Sequence, residues 1–213
     1  MSLVSLKYIL PIILIGLGLK CGAQETMVVT KNDGVYKYVN WVLKSNVETK
    51  QGKSITYYKG KIIEQGKYSN NEMVGRWRFY NLNGILDYEY DFDREELLML
   101  SGVDRHELKR KTPCLFQGSP LVPYLYLVNN LSYPKRAINE DVEGEVVLAL
   151  KVNSSGEVYS FYLVKKLHPL IDKAVEEVAK SMPYSWRFFP ATNYGSAVSG
   201  EYHIIIEFDL EVL

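Results

Sequence analysis

The period of hydrophobic and polar positions changes several times along this chain. From residue 35 to 92, short runs alternate apolar and polar side chains between Gly, Asn and Asp punctuation, which predicts antiparallel strands and no helix. Residues 93–118, containing DREELLMLSGVDRHELKRK, lose that alternation and predict a short helix or an irregular charged connector before Pro113. Residues 121–131 read as a short helix or a tight apolar segment, and Pro134 disfavours helix at Tyr133.

Alternation then returns in two stretches, residues 145–152 and 157–165, joined by Asn153-Ser154-Ser155-Gly156 as a hairpin. Val146, Leu148, Leu150 and Val152 share one face of the first strand. In the second, Val158, Ser160, Tyr162 and Val164 share one face and Tyr159, Phe161 and Leu163 the other, so both faces are partly apolar. Pro169 suits a first helical turn, and Ile171, Ala174, Val175, Val178 and Met182 recur at helical spacing opposite Asp172, Lys173, Glu176, Glu177 and Lys180. Pro183 ends that helix, and residues 184–200 read as irregular. In the closing EYHIIIEFDLEVL, the buried face is expected to carry Tyr202, Ile204, Ile206, Phe208 and Leu210, with His203, Ile205, Glu207, Asp209 and Glu211 opposite.

One helix packed on a three-stranded sheet is the economical way to bury these stripes. A right-handed crossover from the second strand can set the third beside the first, giving an antiparallel sheet in the order two, one, three. The fold class expected is α+β: a C-terminal ββαβ unit behind an N-terminal antiparallel β-hairpin module. The last strand then lies at an edge, a liability unless covered or used.

Composition narrows the function. The 213 residues are 47% hydrophobic, with 25 basic against 25 acidic side chains, enough for a real core and without the field that nucleic-acid binding needs. The only basic cluster that draws notice is Lys109-Arg110-Lys111. Residues 1–23 read as an export signal: Lys7, an apolar run over residues 8–19, then Cys21-Gly22-Ala23, with cleavage expected after Ala23. That run is shorter than the ~20 residues of a membrane span, which disfavours a retained anchor. Lipidation on Cys21 is the third option, and Lys20 directly before it argues against it. The expected location is the periplasm or cell envelope of a Gram-negative type of cell. Cys114 then remains as the single thiol of the mature chain and reads as a small buried hydrophobe.

No catalytic chemistry stands out. His106, His168 and His203 share no metal-ligand spacing and read as solvated or cap-forming. Asp91, Asp93, Glu95 and Glu96 lack the central Gly and terminal Glu of a calcium loop. With no G-x-S-x-G, P-loop or Cys/His pair, the expectation is a non-enzymatic protein with no cofactor and no metal. Trp77, Tyr80 and Trp186 read as core or hairpin-packing aromatics.

Two family resemblances sharpen this reading. YYKGKIIEQGKYSNNEMVG is followed by FYNLNGILDYEYDFD, with the same interval from Tyr58 to Tyr80 as from Tyr68 to Tyr90, so a supersecondary unit recurs. The segment with Gly75, Trp77, Tyr80 and Gly84 resembles bacterial MORN-like repeats, which implies β-hairpin units turned on glycines. Further on, Tyr133-Pro134 with Ala137, Glu143-Gly144 with Val146, Val152, Gly156, Leu170 with Asp172 and Ala174, Pro183, Trp186, Pro190 and Phe208 occur in order. Together they resemble the C-terminal domain of TonB energy transducers.

That second resemblance implies a periplasmic domain that pairs an extended segment of an outer-membrane transporter with its sheet edge, a known mode of peptide capture. The residues expected to bind the partner are Ser132, Tyr133, Pro134, Tyr202, Ile204, Ile206 and Phe208. The departures are Ala191 where the family usually has Gly, Ser132 where Gln is frequent, and a short export-like start without the family's transmembrane helix and Pro-rich linker. A domain without an anchor has nothing to pull against. The expected organisation is a signal peptide at 1–23, a MORN-like module at 24–93, a connector at 94–120 and a TonB C-terminal-like domain at 121–213. The expected function is a TonB-family envelope protein engaged in transmembrane transport. The alternative is a soluble periplasmic peptide-binding or scaffold module, and homo-oligomer formation stays open.

Overall fold

The computed structural model describes residues 24–210; the expected export segment lies outside the described residues. Seven strands form an antiparallel meander, each paired with the next: β1 (Thr26–Asp33), β2 (Tyr36–Leu43), β3 (Asn46–Tyr58), β4 (Lys61–Ser69), β5 (Glu72–Tyr80), β6 (Leu86–Asp91) and β7 (Glu96–Leu100). The β4–β5 turn shows how sequence sets the hairpins. Asn70 and Asn71 both take positive φ, 49° and 70°, a conformation that asparagine tolerates and that matches strand twist. β7 occupies residues expected to form a connector, because a run as short as ELLML carries no period that tells strand from helix.

Trp77 anchors this sheet. Its indole lies over Gly66, where a register shift between Gln65 and Lys67 lets β4 bulge. The indole N–H donates to the Lys67 carbonyl at 3.0 Å, and Tyr68 packs edge-on at 5.0 Å. Phe79 and Tyr88 stack beside it with centroids 4.4 Å apart, and Trp77, Phe79 and Tyr88 are fully buried.

The chain continues through α1 (Arg105–Arg110), β8 (Lys111–Thr112), β9 (Leu115–Phe116), α2 (Leu121–Asn130) and α3 (Lys135–Asn139). Then follow β10 (Gly144–Val152), β11 (Val158–Lys165), α4 (Pro169–Lys180), β12 (Phe188–Phe189), β13 (Ala191–Asn193), β14 (Ser196–Val198) and β15 (Gly200–Phe208). β10, β11 and β15 form an antiparallel sheet in the order β11-β10-β15. The stretch read as irregular contains three short strands: β12 pairs with β9, and β13 pairs with β14 and β8. Elements of two or three residues are too short to leave a period in the sequence.

Val146, Leu148, Leu150 and Val152 are buried on the inner face of β10. Ile171, Val175 and Ala179 of α4 and Ile204, Ile206 and Phe208 of β15 complete that core. His168 caps α4, its Nδ1 accepting from the Leu170 N–H at 3.3 Å, and Asp172 reaches back to the Leu167 N–H at 2.9 Å. The hairpin turn is tied to β12. Gly156 has φ 79°, its carbonyl accepts from the Phe188 N–H at 2.9 Å, and a Cβ there would lie 2.1 Å from the Phe188 carbonyl oxygen. Only glycine fits this turn.

α2 is apolar on more than one side because it is wedged between the two sheets. Leu121 and Leu125 pack on Tyr58 and Ile63 of the meander, while Leu127 belongs to the core under β10. The segment before α2 is pinned by polar side chains of the meander. The Tyr88 hydroxyl donates to the carbonyls of Phe116 and Gly118, and the Glu64 carboxylate accepts from the Ser119 N–H at 3.1 Å and the Thr56 hydroxyl at 2.9 Å. Phe189 of β12 stacks on Tyr90 at 3.7 Å, joining the two halves a second time.

Two outcomes follow from these contacts. Gly66→Ala places a methyl 2.2 Å from the indole of Trp77, so chemical denaturation should show a loss of about 3 kcal/mol. Desolvation is the largest influence on Glu64 and raises its carboxyl pKa, against smaller opposing effects of Thr56, Ser119 and Lys50. A raised folded-state pKa adds stability that is complete below the unfolded value and is lost as pH rises through the folded one. Wild type should therefore lose stability relative to Glu64→Gln as pH rises above the ordinary carboxyl value of 4.5, as read by denaturation midpoints at each pH.

Candidate functional site

β15 is paired with β10 along its whole length, from Gly200 opposite Val152 to Phe208 opposite Gly144. Its other side has no strand partner among the described residues. Alternation divides its side chains. Ile204, Ile206 and Phe208 are buried, and Tyr202 is half-buried against Phe188 with centroids 5.2 Å apart. Of the seven residues expected to meet a partner, these four point into the core, so any part they take at the edge is through their backbone. The side chains that flank the edge on the open face are His203, Ile205 and Glu207, with Ile205 57% exposed.

The Ser132-Tyr133-Pro134 segment lies at one end of β15. Tyr133 packs edge-on against Phe208 at 5.3 Å and donates its hydroxyl to the Val142 carbonyl. Burial, then the nearby Glu143 and Asp209 carboxylates, raise its phenol pKa, so it stays a neutral donor at physiological pH. Ser132 is exposed and Pro134 half-buried. The fold thus brings Tyr133 to Phe208, while Tyr202 sits six positions away, about 20 Å along the strand.

Sequence reasoning missed a polar cluster on the open face of this sheet. The Tyr162 hydroxyl on β11 donates to Glu201 on β15 at 3.0 Å, spanning β10, and His203 Nε2 lies 3.1 Å from the same carboxylate. Lys151 of β10 stands 5.1 Å from the centre of the Tyr162 ring. Beneath them Ala149, opposite Tyr162 on one side and His203 on the other, is fully buried. Bonds from His203 and Tyr162 hold the Glu201 carboxyl below its ordinary pKa. The cluster crosses three strands far apart in sequence, so only strand register could reveal it.

Cys114 is a buried free thiol whose pKa burial raises, and it touches the backbone of β15 closely enough that a Cβ on Gly200 would lie 2.8 Å from its sulfur. Among the described residues, no group of three or more His, Cys, Asp or Glu side chains is arranged to hold a metal ion. Among the described residues no helix is long and apolar enough to cross a membrane.

Comparison with known proteins gives this geometry a context. Residues 129–210 match the family described as Gram-negative bacterial TonB protein C-terminal. That span holds α3, β10, β11, α4 and β15 and leaves the seven-stranded meander outside it. Among solved structures, the solution structure of the Helicobacter pylori TonB C-terminal domain is 22% identical over 43% of this chain and 92% of that one, with a TM-score of 0.31. No curated protein matches the chain.

The end of β15 can be tested through Tyr133. Tyr133→Phe should cost about 1 kcal/mol by leaving the Val142 carbonyl without its donor. Tyr133→Ala should cost about 2–3 kcal/mol by also emptying the space against Phe208, both read by thermal denaturation.

Proposed function

We propose that residues 121–213 form a TonB C-terminal-like binding domain of the cell envelope, which captures an extended peptide of an outer-membrane transporter by strand addition to β15 and so takes part in transmembrane transport. The observation that carries this reading is the free edge of β15, which presents a full-length strand whose inner side chains are already locked into the core. An added peptide would find backbone donors and acceptors in fixed positions, with little ordering cost to the domain. Peptide side chains on the open face would meet His203, Ile205 and Glu207, and Tyr133-Pro134 would close one end. The match of residues 129–210 to the TonB C-terminal family supports the transport setting.

The second reading is a periplasmic scaffold without energy transduction. It is favoured by the meander, which lies outside the family match, holds the segment before α2 through Tyr88 and Glu64, and packs on the C-terminal unit through Tyr90 and Phe189. Its hairpins, read as a MORN-like module, would then form a second contact surface.

A photo-crosslinker placed at Ile205 in the full chain should capture the plug of an outer-membrane transporter in cells, and a synthetic peptide from the plug's N-terminal segment should compete that capture away. Absence of transporter products from Ile205, His203 and Glu207 alike would overturn strand addition at this edge. Recovery of the whole protein in the soluble periplasmic extract, with no membrane-bound pool, would select the scaffold reading.

A further inference from the structure

Among the described residues β11 has no strand partner on the side away from β10, and a groove of about 640 Å³ adjoins this second edge. Five consecutive residues, Glu157, Val158, Tyr159, Ser160 and Phe161, line this groove. β11 bulges here, with Ser160 opposite Lys151 and Val158 opposite Val152, and the bulge brings neighbouring side chains on either side of Tyr159 into one groove beside the strand's outer edge. The remaining lining comes from Leu150 of β10, the end of α4 and the loop after it, including Met182, Tyr184 and Trp186. Trp186 is held edge-on by Phe116 at 5.4 Å and Tyr126 at 5.3 Å, a rigid aromatic wall. Tyr159 and Tyr184 are 62% and 94% exposed, a large unpartnered aromatic surface beside unpaired backbone.

The groove also carries charge. Lys180 is paired with Glu177 at 2.8 Å, and the one lining carboxylate, Glu157, accepts from Asn153 at 3.3 Å. Arg187 has no carboxylate partner among the described residues: its Nη1 donates to the Tyr184 and Trp186 carbonyls at 3.1 and 3.0 Å. Those bonds fix an exposed guanidinium at the groove, where it is suited to a carboxylate.

We propose that this groove is a second peptide site: an extended, carboxylate-bearing segment adds to β11 as a fourth strand, its apolar side chains against Tyr159 and Trp186 and its carboxylate on Arg187. The site is independent of the β15 edge, because β10 separates the two strands.

The test titrates the full ¹⁵N-labelled chain with a blocked octapeptide of threonine and valine containing two glutamates, and with the same peptide carrying lysine for glutamate. Saturable amide shifts are expected at residues 158–161 and at the Trp186 indole, with the lysine peptide at least tenfold weaker. Arg187→Glu, an exposed change that leaves the core intact, should weaken the glutamate peptide at least tenfold and reverse the preference. Tyr159→Ser should weaken both peptides. The proposal is overturned by shifts confined to residues 200–208, by binding indifferent to both substitutions, or by no saturable shift at about 1 mM peptide. Loss of binding here with transporter capture retained at Ile205 would leave the β15 reading standing, and the reverse result would leave this one.

Discussion

Everything that this protein can offer a partner through its smaller sheet depends on β10 being paired on both sides. A strand has two rows of backbone groups, and β10 spends both on β11 and β15. Its inner side chains, Val146, Leu148, Leu150 and Val152, are sealed under α4 and α2. Among the described residues the outer strands are therefore both edges, β15 anchored by Ile204, Ile206 and Phe208 and β11 by Leu163. β15 is the longer and fully registered edge, and β11 the one with an aromatic groove at its side.

The larger sheet is bound to this unit by few but demanding contacts. α2 offers leucines to both sheets, Tyr88 and Glu64 hold the segment before it, and Phe189 inserts among Tyr88, Tyr90 and Phe92. Polar groups at such a junction are costly unless bonded, and among the described residues no buried side-chain donor or acceptor is left without a partner. A carboxylate that sits there partly desolvated makes the junction sensitive to pH, while the packing of Trp77 over Gly66 belongs to the meander alone.

The elements with long, clean periods were legible: the hairpin 145–165, the helix behind Pro169 and the last strand all fall within a few residues of their expected places. The order two, one, three followed from handedness and economy of burial. β7, β8, β9, β12, β13 and β14 were not legible, since each is too short to carry a period, and β8, β9, β12 and β13 also take partners distant in sequence. Alternation placed Ile204, Ile206 and Phe208 on the buried face of the last strand, and the structure buries them there, leaving Ile205 and its neighbours outside.

By itself, the sequence determined which side chains of the long elements must leave water, where the hairpin, the helix behind Pro169 and the last strand begin, and that glycine stands at the turn before Glu157, because these depend on local period and local geometry. Only the tertiary structure decided that α2 serves two cores, that Tyr162, Glu201 and His203 meet across β10, and that a groove holding Arg187, without a carboxylate partner among the described residues, adjoins β11. Those arrangements join residues far apart along the chain, and chain distance carries no record of them until strand register and helix packing bring them together.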